Sequence, residues 1–146
     1  MKKYRFRLEG VLNVRTMQED LARAALAQAN HRVVNADAAL ATRMSRYSSM
    51  AMAGGMRSTQ AFLGDRFVHE MAARSVKQAE ADRNRATAEA AEKRDAWSAA
   101  AKEVSVLERL DQRRREEHEL ESARQAELEV DDIVVGRFSR TVGDEI

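Results

Sequence analysis

The chain of 146 residues has no cysteine and no proline, and only 5% of it is aromatic. Without cysteine there is no disulfide framework and no thiolate chemistry. Without proline, nothing forces a helix to stop from within. With so few aromatic side chains a compact core cannot be filled, so burial must come from a narrow stripe. No window approaches the roughly 18 consecutive apolar residues of a membrane span. The opening MKKYRFRLEG is basic but leads into no apolar run, so it does not read as a secretory signal.

What the chain does have is charge and alanine. Charged residues make up 34% of it, the composition of long helices and coiled coils. The net charge is only +1, which argues against a general polyanion binder. The distribution says more. Residues 1–23 carry six Lys/Arg against three Asp/Glu, and residues 108–146 carry seven against twelve. One end is basic and the other acidic, so the two would attract each other if folded together.

Two stretches keep a 4,3 spacing. The first runs Leu8, Leu12, Arg15, Glu19, Ala22, Leu26, Ala29, Val33, Ala36, Leu40, Arg43, Tyr47, Met50. The second runs Ala72, Val76, Ala79, Arg83, Ala86, Ala90, Lys93, Trp97, Ala100, Val104, Leu107, then shifts to Leu110, Arg114, Glu117, Glu121, Arg124, Leu128. A repeat averaging 3.5 residues keeps one seam turned to a partner helix. Arg15 and Glu19 either pair with charges on the facing helix or mark where the seam opens. Alanine favours helix but buries little area, so the seam should be weakly stabilised per turn. Trp97 falls on it and reads as core.

Between the two stretches lie Gly54-Gly55 and Gly64-Asp65, the strongest breakers, with Ser58, Thr59 or Asp65 available to cap a second helix. The expected fold is all-α: a long antiparallel two-helix coiled coil, or helical hairpin, forming a single domain over 1–146. Helix one spans about 5–52, the tip 53–65, helix two 66–131 and a flexible tail 133–146. The acidic 108–132 region then lies beside the basic amino terminus.

Chemistry has poor support. His31, His69 and His118 are isolated, lack metal-ligand spacing, and read as exposed helix positions. GGMRST at 54–59 lacks the lysine and the preceding strand of a phosphate loop and reads as a turn. A thin hairpin encloses no pocket in which to shift a pKa. No enzyme activity, metal or cofactor is expected. Met44, Met50, Met52, Met56 and Met71 crowd near the tip with Tyr47, Phe62 and Phe67. This is either loose packing or an adaptable contact surface.

The stretch from Val104 to Asp132 allows a solvated helix face, a nucleic-acid patch or a protein-docking face. Arg113, Arg114 and Arg115 point to different sides in an acidic neighbourhood, which removes the nucleic-acid reading. Its like-charged Glu117 and Glu121 and neutral Glu108 and Gln112 are not tuned to hold an isolated helix.

The start YRFRLEGVLNVRTMQEDLARAALAQA resembles the opening of FliJ-type flagellar export proteins, at Tyr4, Phe6, Leu8, Leu12, Arg15, Glu19 and Ala22. VLERLDQRRREE is similar to a second family element, at Leu107, Leu110, Arg113 and Arg114, and ELEVDDIVVGRF to a closing one, at Asp131, Asp132 and Ile133. His118 departs from the family, many members of which have an aromatic residue there.

The resemblance implies a soluble two-helix coiled coil like the central stalk of rotary ATPases, sitting in the flagellar export ATPase hexamer and promoting its assembly. It implies contact with the export-gate membrane protein and escort of export chaperones. It also implies a monomeric hairpin in the cytoplasm, peripheral at the inner face of the membrane. The ATPase-ring residues carried over are Phe6, Leu8, Leu12, Arg15, Leu107, Leu110, Arg113, Arg114, Asp131 and Asp132. The gate residues are Leu40, Met44, Tyr47, Phe67 and Met71. Two other readings stay open: the equivalent stalk of a virulence secretion system, and a structural coiled coil.

Overall fold

The computed structural model describes residues 3–50 and 58–143, with side chains as far as 134. Two helices account for nearly all of it: α1, Glu9–Ser49, and α2, Thr59–Gly143. The fold is all-α and pairs α1 with α2 as an antiparallel coiled coil. The chain divides into two compact units, a terminal unit of Met1–Thr16 with Lys102–Ile146 and a central unit of Met17–Ala101.

The central unit shows why the seam forms. Its buried residues are Ala29, Ala79 and Ala90, all at seam positions of the 4,3 repeat, and Ala29 is only 1% exposed. Ala22, Leu26, Val33, Ala36, Leu40 and Tyr47 on α1, and Ala72, Val76, Ala86, Lys93, Trp97 and Ala100 on α2, are half-buried along the same lines. Direction comes from cross-helix pairs. Arg32 meets Glu89, Arg83 Nε donates to Asp37 at 3.0 Å, and Arg43 donates to the Ser75 carbonyl at 3.2 Å. As α1 numbers rise, their α2 partners fall. These ion pairs are half-exposed, each worth about 0–1 kcal/mol, so they select register more than they stabilise.

The charged seam positions resolve differently from one another. Arg43 and Arg83 reach across to the partner helix. Glu19 keeps its side chain only 12% exposed and accepts from Arg23 of its own helix at 2.6 Å. Trp97 is half-buried, and its Nε1 is enclosed without a hydrogen-bond partner.

Helix ends depart from the sequence expectation. α1 begins at Glu9 rather than near residue 5, because Tyr4-Arg5-Phe6-Arg7 alternates apolar and basic with period two, the pattern of extended chain. Glu9 puts a carboxylate in the first turn, where the helix dipole favours it. α2 begins at Thr59 rather than residue 66. Ser58 caps it, its Oγ accepting from the Ala61 amide at 3.3 Å. Gly64 and Asp65 therefore lie inside α2 and do not break it. α2 also runs on to Gly143, past the end expected at 131 and through most of the expected tail. Gly54, Gly55, Met52 and Met56 lie outside the described residues.

Candidate partner-binding surfaces

In the terminal unit, residues 3–8 form a non-helical strap along α2. An extended chain advances about 3.3 Å per residue and a helix about 1.5 Å. Residues 3–6 can therefore follow roughly nine residues of α2 before residues 7–8 turn into α1, where the Glu9 amide donates to the Phe6 carbonyl at 3.3 Å. The groove between them is lined by residues 3–8 on one side and by Leu110, Arg114, Glu117, His118 and Glu121 on the other, with a volume of about 760 Å³.

Tyr4 anchors the strap. Its hydroxyl donates to Asp111 Oδ1 at 2.7 Å. Its ring meets the His118 imidazole edge-on at 5.6 Å, and the Arg115 guanidinium lies 5.7 Å from the ring centre. Arg115 also donates to Asp111 at 3.2 Å. Asp111, Arg115 and His118 share one helix face because they are spaced at i, i+4 and i+7. Desolvation, then the Asp111 hydrogen bond, raise the Tyr4 pKa above its ordinary value. His118 thus supplies the ring against which Tyr4 packs.

The strap also decides which face of α2 is covered. The half-buried line beyond Leu107 is Leu110, Asp111, His118, Ser122 and Ala126. The expected line of Arg114, Glu117, Glu121, Arg124 and Leu128 is exposed, apart from Leu110 at its head. The heptad count assumed a helical partner, whereas an extended one sits over a different stripe. Local ion pairs and a side-chain hydrogen bond correct the sequence reading as well. Asp111–Arg115, Arg114–Glu117 at 3.2 Å and Gln112–Glu116 at 2.8 Å all support the helix.

Of the expected ring-docking residues, Phe6, Leu12, Leu107 and Leu110 are half-buried, and Val104 beside them is buried. Leu8, Arg113, Asp131 and Asp132 are exposed. Arg15 pairs with Glu103 at 2.8 Å across the unit, which answers the question its charge raised. Arg114 is exposed and bridged to Glu117. Tyr4, Asp111, Arg115 and His118 were not singled out from sequence as a cluster. Their contacts join positions 107 residues apart, and no local spacing signals that.

In the central unit the gate candidates fall on neighbouring turns of the two helices. Met44, Phe67 and Met71 are exposed, Phe67 at 64%. Leu40 and Tyr47 are half-buried. Tyr47 lies against His69 with ring centres 4.7 Å apart, so it is partly structural. His69 and His118 are therefore not the exposed histidines the sequence predicted, while His31 is exposed and sits 3.1 Å from Asn35. The structure adds neighbours. Phe62, Leu63 and Val68 are exposed, and Arg43 and Arg46 flank an open groove with Met50, Phe67, Val68 and Met71. Exposed apolar residues lining one groove make it a candidate contact surface.

Among the described residues, no helix is long and apolar enough to cross a membrane. The architecture is that of an antiparallel two-helix coiled coil with separate candidate surfaces in its two units. The family model described as "Flagellar FliJ protein" matches residues 3–143, nearly the whole chain, and the chain belongs to that family. It is accordingly a flagellar-type export protein. No curated protein and no solved structure gives a significant match.

Proposed function

We propose that this protein is the non-catalytic stalk of a flagellar export apparatus. Its terminal unit docks in the ring of the export ATPase and promotes ring assembly. Its central unit contacts the export-gate membrane protein near the α1–α2 connection. It escorts export chaperones from the cytoplasm to the inner face of the membrane. Carrying this reading is the family match over residues 3–143. It is supported by the exposed Phe67, Val68 and Met71, which line one open groove with Met50.

The experiment is a titration of the purified chain into its cognate ATPase, following hydrolysis and oligomerisation together. Stimulation and ring formation are expected. No stimulation with no co-purification sinks the reading. Sedimentation separates the stalk from a structural coiled coil: a monomer fits the stalk, an obligate dimer the alternative.

A further inference from the structure

The strap carries a feature that anchoring does not use. Tyr4 and Phe6 are half-buried, whereas Lys3, Arg5 and Arg7 alternate with them along the strap wall of the groove, all three exposed. None of them has an ion-pair partner among the described residues, whereas Arg15, Arg83 and Arg115 are each engaged by a carboxylate. Alternate residues of an extended chain stand about 6.6 Å apart, which spaces Lys3 from Arg5, and Arg7 follows in the turn that leads into α1. The three cations line the groove of about 760 Å³ together with Phe6, Leu8 and Leu110, and Glu117 and Glu121 stand on its α2 wall.

We infer that this groove receives an acidic protein segment, with a row of carboxylates against Lys3, Arg5 and Arg7 and one large apolar side chain against Phe6, Leu8 and Leu110. Carboxylates at i, i+4 and i+8 of a helix are about 6 Å apart, which matches the spacing of Lys3 and Arg5. Long polyanions and anionic membranes fit less well. Residues 116–132 of α2 hold eight Asp/Glu against one Arg, and an extended negative surface would be repelled there. A short acidic motif keeps its carboxylates on the strap side, against the cations, with Glu117 and Glu121 on the opposite wall of the groove.

This rests on the reading of the terminal unit as a docking end, and it names the chemistry of the partner at that end. The probe is a fluorescein-labelled, alanine-based helical peptide with three glutamates spaced four apart and one leucine beside them. Its fluorescence anisotropy is titrated with the full-length protein. Binding at low salt is expected to weaken by about tenfold or more in the Arg5→Glu, Arg7→Glu double variant. It should weaken too when the peptide leucine becomes serine. Both arginines are exposed, so circular dichroism should be unchanged.

Peptide binding indifferent to the double charge reversal overturns the proposal, as does phosphatidylserine-vesicle binding that depends on these arginines while the peptide fails to bind. If the peptide binds as expected but the ATPase is not stimulated, the groove stands and the stalk reading falls. If the ATPase is stimulated equally by wild type and double variant, and the peptide does not bind, the groove falls alone.

Discussion

The Tyr4 hydroxyl donates to the Asp111 carboxylate at 2.7 Å, closing a contact between residues 107 positions apart. This bond turns a short extended segment into a strap on α2. Its energetic signature is a raised tyrosine pKa, caused first by desolvation and then by the Asp111 bond. Because the folded-state pKa is raised, the stabilisation is fully present below the unfolded tyrosine value of roughly 10. It is lost as pH rises through the folded value.

The strap should therefore release in strongly alkaline solution, while remaining docked across the neutral range. Tyrosinate absorbance, read alongside amide exchange of residues 3–12, checks this. Tyr4→Phe should abolish the late-titrating tyrosine and speed exchange in the strap without lowering helicity elsewhere. Exchange in the strap as slow as wild type would show that the hydroxyl does not hold it.

Ala29 should be intolerant of size. It is 1% exposed at a seam position, and a leucine there has to push the helices apart. Overpacking of this kind costs about 1–3 kcal/mol. Urea unfolding of Ala29→Leu is expected to show that loss, whereas Val34→Ala, at an exposed position, should stay close to wild type.

Trp97 combines a large ring with an enclosed Nε1 that has no partner. Removing a donor that makes no hydrogen bond should cost little, so Trp97→Phe is expected within about 1 kcal/mol of wild type. Trp97→Ala should cost appreciably more through lost packing. Equal losses in thermal melts of the two variants would mean that the indole N–H matters after all.

Gly64 lies inside α2, and a methyl group placed on it meets nothing within 4 Å. Alanine is the better helix former by about 1 kcal/mol. Gly64→Ala should therefore raise the denaturant midpoint.

For gate binding, Tyr47→Ala together with Phe67→Ala should weaken the interaction while total helicity is kept. Phe67→Ala is the cleaner probe, because Phe67 is exposed while Tyr47 also packs against His69. Pull-down with the cytoplasmic domain of the gate reads the effect; unaltered binding by both variants removes the proposed surface.

The coiled coil was legible in the sequence because a helical seam is a local, periodic property. Two seam positions in every two turns point the same way whatever lies opposite. Thus Ala29, Ala79, Ala90 and Val104 could be read as core positions, and all four are buried. Helix ends were less legible. Gly64-Asp65 resembles a breaker, yet the Ser58 cap starts α2 earlier and the flanking turns carry the helix through.

The candidate surfaces show the same division. Exposed Met44, Phe67 and Met71 could be nominated from composition, since aromatics and methionines are scarce elsewhere and clustered there. The Tyr4, Asp111, Arg115 and His118 cluster could not. Periodicity determined that each chain segment is a helix and which stripe of it seeks a partner. Only tertiary structure decided that the partner of residues 110–121 is an extended strap, and hence which face of α2 is covered and which cations line the groove. An extended segment covers twice the length per residue that a helix does, so no heptad count carried through from helix one could locate it.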